Sequence, residues 1–245
     1  MQFKTIALAA LLATTGSAFA EIKTGQNGVF GESELVFIAS NAKGSFIKDL
    51  GITASAFQAN GNFNISVQGA EWNKFLAFGG SDTKWSVIAA NPIGFGFEPG
   101  EINAFTTVAA NQPVNGVTNQ AFNDAVGNFA NIFAVSDIAA GTGAANIELA
   151  QAAGTEGYLG SYVDFAGYYK QQGSIGSSLK MAYLTSSSAD INELVLASSF
   201  ANASTTVTFD SNNIIAASTV PEPSTYALLL AGLCAVGFMA RRRQA

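Results

Sequence analysis

Glu34-Leu35-Val36-Phe37-Ile38-Ala39-Ser40, the join Asn41-Ala42-Lys43-Gly44, and then Ser45-Phe46-Ile47-Lys48-Asp49-Leu50 decide how this chain folds. Both apolar runs are rich in β-branched and aromatic side chains, and the join holds the Asn and Gly that a tight turn needs. The stretch therefore predicts a β-hairpin. Working outward, Phe63-Asn64-Ile65-Ser66-Val67 alternates apolar with polar, as a half-buried strand does. Lys84 to Ala89 reads as a further strand closed by Asn91-Pro92. Leu179 to Leu184, Glu193 to Ala197, Thr205 to Phe209 and Ile214 to Ala217 give four more between Ser, Asn and Asp clusters.

The middle has a different period. From Asn119 to Ser136, Phe122, Val126, Phe129 and Phe133 recur at spacings of four, three and four, which sets them on one face of a helix. The stretches 111–116 and 141–160 are rich in Gly, Asn and Ala and read as loops, with some helix expected around Ile147 to Ala153. The expected fold is mainly β: an antiparallel, jelly-roll-like β-sandwich with one or two helices over an edge or end.

Composition narrows the chemistry. The chain has 245 residues, no histidine and one cysteine, Cys234. Without histidine, Ser-His-Asp and Cys-His catalysis and the commonest transition-metal ligand are unavailable. Ser177-x-x-Lys180 matches the Ser-x-x-Lys of penicillin-binding enzymes, and Lys23-Thr24-Gly25 their Lys-Thr-Gly. The order is reversed from that family, and Ser40/Lys43, Ser45/Lys48 and Ser81/Lys84 show how common the pattern is here. Glu71, Asp82, Glu98, Glu101 and Asp164 are the carboxylates from which a glycosidase pair would be drawn. No Asp-x-Asp-x-Asp-Gly calcium loop is present, and Gly94 to Gly100 reads as a turn. No cofactor and no metal site is expected.

The two ends of the chain carry addresses. Lys4, the apolar run Ile6 to Ala13 and Ala18-Phe19-Ala20 form a signal peptide over 1–20, cut by signal peptidase between Ala20 and Glu21. At the other end, 220–245 runs from Val220-Pro221-Glu222-Pro223-Ser224 through an uncharged stretch, about 224–240, to Arg241-Arg242-Arg243. Seventeen helical residues reach about 25 Å, the short end of a membrane span. Three arginines are costly inside a bilayer, which fixes them on the cytoplasmic side and the rest of the chain outside. Cys234 makes a poor lipid-attachment site, since Leu233 precedes it.

Pro-Glu-Pro, one hydrophobic segment and a terminal arginine cluster resemble the PEP-CTERM sorting signal of Gram-negative bacteria. The resemblance implies that exosortase cuts near Pro221, Glu222 and Pro223, after an inner-membrane intermediate. It further implies delivery to the outer surface or the extracellular matrix. Gly31 to Phe37 followed by Phe46-Ile47-Lys48-Asp49-Leu50-Gly51, with Trp72 and Trp85 beyond, is similar to the N-terminal region of many PEP-CTERM ectodomains. An ordinary C-terminal anchor is the plainer alternative.

On this reading the exported domain is 21–219. Between Glu21 and Val220, seven lysines stand against sixteen carboxylates, a net charge of −9, which excludes nucleic acid as a partner. With no cysteine outside the membrane segment, packing has to hold the domain together. The leading functional reading is a non-enzymatic surface or matrix protein associated with exopolysaccharide. A second is a jelly-roll carbohydrate-binding module using Trp72, Trp85, Tyr158, Tyr162, Tyr168 or Tyr169, and a third is an extracellular glycoside-active enzyme.

Overall fold

The computed structural model describes residues 22, 32–91, 98–109, 116–140, 147–155, 157–159, 172–198, 205–218 and 233. Eleven strands and three helices are found among them: β1 Glu34–Asn41, β2 Gly44–Thr53, α1 Ala54–Asn60, β3 Phe63–Ser66, α2 Ala70–Ala77, β4 Lys84–Asn91, β5 Asn103–Ala109, α3 Asn119–Ala140, β6 Glu148–Ala152, β7 Gly173–Ser174, β8 Ser178–Thr185, β9 Leu196–Ser198, β10 Thr206–Phe209 and β11 Asn213–Ala217.

The hairpin forms as its sequence requires. Asn41 pairs with Gly44, and the Asn41 side-chain oxygen accepts from the Lys43 N–H at 2.8 Å and the Gly44 N–H at 3.2 Å. Gly44 has to be glycine, because a Cβ there would meet the Phe78 ring and come within 2.9 Å of the Gln151 carbonyl oxygen. β1 and β2 belong to one antiparallel sheet in the order β3-β11-β10-β8-β5-β4-β1-β2-β6, with β7 added to β4 and β9 to β8.

Alternation along β1 feeds two cores. Val36 and Ile38 point into a cluster with Ile47, Ile88, Leu149 and the α3 side chains Phe122, Val126, Phe129 and Phe133. Leu35, Phe37 and Ala39 point the other way, among Phe46, Phe57, Trp72, Phe75, Trp85, Phe105 and Phe209. α3 thus covers one face with the four residues whose spacing predicts it. Thr118 starts this helix by accepting the Ala121 N–H at 3.2 Å.

The second face closes on itself. Three strands lie between β1 and β10, so on a flat sheet Phe37 and Phe209 would sit about 19 Å apart. Their ring centroids are 4.8 Å apart. The sheet is therefore curled into a half-barrel with this aromatic cluster inside. α2 lies across its mouth: Trp72 packs on Phe46 of β2 at 5.1 Å and on Phe209 of β10 at 5.5 Å. Glu71 accepts the Ala150 N–H, on the outer edge of β6, at 2.8 Å. That bond satisfies an edge-strand amide and blocks addition of another strand there.

The expected mainly β, antiparallel character with helices holds. The expected division into two stacked sheets does not appear among the described residues, where all eleven strands join one curled sheet. The helix expected around Ile147 to Ala153 is instead strand β6, because pairing with β2 from Gly44 to Lys48 overrides the helix preference of Glu-Leu-Ala-Gln-Ala. The strand expected over Glu193 to Ala197 shifts to Leu196–Ser198. α1, α2, β5 and the two-residue β7 lie where no element is predicted.

The β10–β11 turn supplies a pH-dependent element. The Asp210 carboxylate accepts from the backbone N–H groups of Asn213 at 2.7 Å and Asn212 at 2.8 Å, and these bonds hold its pKa below the usual carboxylate value. A depressed carboxylate pKa contributes stability above the unfolded pKa and loses it as the pH falls through the folded value. Thermal midpoints measured from about pH 4 downward should fall less steeply for Asp210→Ala than for the native chain.

Candidate functional site

The sequence points to the C-terminal segment, and the fold shows where that segment begins. β11 ends at Ala217, and the Ser218 N–H donates to the Asn62 side-chain oxygen at 2.7 Å, just before β3. Pro221 follows three residues later, a reach of at most about 11 Å. The fold and the proposed processing motif are almost continuous.

Strand register identifies the end of the sheet from which the chain leaves. Ala217 lies opposite Thr206, Thr206 opposite Lys180, and Lys180 opposite Val108. β8 and β11 run in the same direction, both antiparallel to β10. Beyond the Lys180 rung, β8 continues to Thr185, which pairs with Asn103 of β5 on one side and Leu196 of β9 on the other. Five residues at about 3.4 Å each carry that edge about 17 Å past the end of β11. Past Leu196 the rim is itself paired, with Leu194 bridged to Thr118 and the Val195 N–H donating to Val117 O at 2.9 Å.

The rim differs from the opposite end in charge and polarity. Glu98, Glu101, Asp190 and Glu193 are exposed on it. The Gly100 N–H donates to Ser186 O at 3.0 Å and Ser186 Oγ donates to Glu98 O at 2.6 Å, which ties the two acidic loops together. Ile191, Leu194 and Leu196 are 43%, 50% and 53% exposed. At the other end stand Lys43 in the β1–β2 turn and Lys84, the latter bonded to Asp82 at 2.6 Å and Ser174 at 3.0 Å.

Among the described residues the candidates inside the domain are not gathered into one site, and of the carboxylates only Glu98 and Glu101 share a turn. Trp72 and Trp85 are 3% and 0% exposed, and the Trp85 indole N–H donates to Ser174 O at 2.9 Å. Both belong to the aromatic core and offer no face to a sugar. Tyr158 donates its hydroxyl to Asn41 O at 2.8 Å. Tyr162, Tyr168, Tyr169 and Asp164 lie outside the described residues. Glu71 is engaged by Ala150 and, at 3.2 Å, by Lys74. Glu101 accepts from the Glu98 N–H at 3.3 Å within its own turn.

Ser177 has a buried hydroxyl packed against Gly173, with no hydrogen-bond partner and no bond to Lys180. Lys23-Thr24-Gly25 lies outside the described residues. Among the described residues no three His, Cys, Asp or Glu side chains gather as a metal site would need.

Ala18, Ala20, Glu21, Pro221, Glu222, Pro223, Arg241, Arg242 and Arg243 also lie outside the described residues. Their immediate neighbours are informative. Ile22, the second residue after the expected cleavage point, is buried in the core beneath α3. Of the expected membrane segment only Leu233 is described, helical and 62% exposed. No helix of the described residues is long and apolar enough to cross a membrane. The exposed apolar residues of the rim escape a reading of the sequence because Leu194-Val195-Leu196-Ala197 is a continuous apolar run, as a strand buried on both faces would show.

A family model, the PEP-CTERM protein-sorting motif, matches residues 219–243. No curated protein and no solved structure matches the chain. The motif is that of exported proteins directed to the Gram-negative cell envelope or surface and sorted by an exosortase.

Proposed function

We propose that this chain is a non-enzymatic surface or matrix protein whose exported domain ends up in, or against, an extracellular polysaccharide layer. The sorting motif at 219–243 carries this reading. On it, signal peptidase cuts after Ala20, the segment 224–240 holds the chain in the inner membrane, and Arg241 to Arg243 stay in the cytoplasm. Exosortase then severs the chain between Val220 and Ser224.

Two properties of the domain support a structural rather than a sugar-stacking role. The sheet is covered on both faces, by α3 on one and by its own curl with α1 and α2 on the other. Both tryptophans are buried in packing. A net charge of −9 over Glu21 to Val220 favours solubility in an exposed, hydrated layer.

Intact-mass analysis of the protein from membrane and medium of its native host tests the reading. The expected species begins at Glu21 and ends within Pro221 to Ser224. A mature form that keeps Arg243 and stays in the membrane would make the chain a simple anchored envelope protein.

A further inference from the structure

We infer that the outer edge of β3 is a contact surface for a second copy of this chain, which pairs with it strand to strand about a two-fold axis through Ile65. The pairing is a property of the domain, and it holds whether the chain is released, re-anchored or left in the membrane. The two ends of the sheet differ. At one end β6 has its outward groups engaged, the Ala150 N–H by Glu71 at 2.8 Å and the Ala152 carbonyl by the Thr155 N–H at 3.2 Å and hydroxyl at 2.7 Å. At the other end β3 pairs only with β11 among the described strands.

Register fixes which groups β3 leaves over. The Val67 N–H donates to Asn212 O at 2.8 Å, so Val67, Ile65 and Phe63 turn their main-chain groups toward β11. Asn64 and Ser66 turn theirs outward, and among the described residues no hydrogen bond reaches those groups. One donor and one acceptor on each of two alternate residues make an edge that is complementary to itself. With Ile65 set opposite its own copy in an antiparallel pair, Asn64 and Ser66 exchange both bonds with Ser66 and Asn64 of the second copy, four in all. On the outer face the exposed Asn64 amide and Ser66 hydroxyl then stand opposite each other. On the inner face the half-buried Ile65 meets its copy, which carries the apolar lining of the curl across the seam.

Charge selects this edge for a like-to-like contact. At a net charge of −9 over Glu21 to Val220, two copies repel wherever carboxylates dominate the surface. No charged side chain occurs from Gly51 to Ala70 or from Ser211 to Val220, the stretches that build this edge. β3 also carries none of the lysine, proline or bulge that blunts an exposed edge, and only its length of four residues limits pairing. Four main-chain bonds make a transient contact, which forms at high local density on a crowded surface or in a matrix. With one edge open and the other engaged, assembly closes at two copies and does not run on as a fibre.

Cysteine cross-linking of the full chain reads this register directly. Asn64→Cys and Ser66→Cys are each made in a Cys234→Ala chain, produced singly and together in the native host, and the recovered protein is mildly oxidised. In the pair, residue 64 of one copy and residue 66 of the other lie about 5.5 Å apart at Cα, within disulfide range, whereas the two copies of 64, or of 66, lie about 7–8 Å apart, outside it. A reducible adduct of two chains should be at least roughly tenfold more abundant when the variants are produced together than when either is produced alone. No adduct, or the equal yields that random collision gives, overturns the pairing. Asn64→Pro removes an outward N–H and leaves the β11 ladder intact, so in sedimentation equilibrium of the recovered protein it should weaken association at least roughly tenfold without moving the urea midpoint. Association unchanged by that variant, or a native species larger than two copies, also overturns the proposal. Asn64→Lys carries the same comparison if the proline variant does not fold.

Discussion

Replacing Phe209 with alanine should lower the unfolding free energy by about 3–5 kcal/mol, a large part of the roughly 5–15 kcal/mol that holds a domain of this size. Phe209 is fully buried, and its ring centroid lies 4.8 Å from Phe37, 5.5 Å from Trp72 and 6.1 Å from Trp85. These partners come from β1, α2 and β4, and β10 reaches them only because the sheet curls. Truncation leaves a cavity where β1 and β10 face each other across the curl. At an m-value of about 2 kcal/mol/M, the urea midpoint should fall by about 2 M. The two tryptophans of the chain both sit in this cluster, so native-state emission should also shift to the red as water gains access. A midpoint within a few tenths of a molar of the parent would mean that the curl is held elsewhere.

That cluster marks the boundary of what the sequence discloses. The hairpin, β3, β4, β8, β10 and β11 follow from local signals: β-branched runs, alternation and turn residues. α3 follows from four aromatic and aliphatic positions on one face. The short helices do not. α1 has seven residues, and its start and stop are a Thr53 hydroxyl accepting the Ala56 N–H and Gly61 at φ 67°. α2 has eight residues and begins after Gly69, with Trp72 and Phe75 as its inward pair. Neither is long enough to show a period, and each is stable because it packs inside the curl.

β6 is the sharper case. Its composition favours helix, and what decides the matter is a partner strand about a hundred residues away in sequence, together with a carboxylate from α2 on its outer edge. Curl itself is non-local, since it depends on side chains from β1, α2, β4 and β10 meeting in space. The rim has the same character. Leu194 and Leu196 are unremarkable until register places them at the projecting end of the sheet, beyond the last rung of β11. The sorting segment lies at the opposite extreme, legible in full from consecutive residues because an address must be read from an extended chain.

The second large effect is expected at that address. Changing Pro221-Glu222-Pro223 to three alanines should leave the protein in the membrane with Arg243 attached and lower release into the medium by at least about a hundredfold. Two physical effects combine. Proline fixes φ near −65° and disfavours helix at the residue before it, so the sequence biases Val220 and Glu222 toward the extended backbone a protease groove binds. Removing both prolines returns roughly 1 kcal/mol of ordering cost at each site, and losing Glu222 removes a charged partner worth about 1.5–3 kcal/mol. Together these losses come to about 3.5–5 kcal/mol, which at 1.4 kcal/mol per factor of ten exceeds two orders of magnitude, so about a hundredfold is the smallest effect expected.

Alanine also reverses the local preference. Proline at 221 and 223 disfavours helix across the motif, whereas three alanines favour it and would draw the cleavable bond out of extended backbone. Glu222→Gln keeps both prolines and should lose only the charged contact, giving an intermediate rate. Unchanged release from the triple variant would sink the assignment of 221–223 as the recognition element, because neither the extended backbone nor the carboxylate would then matter to the enzyme.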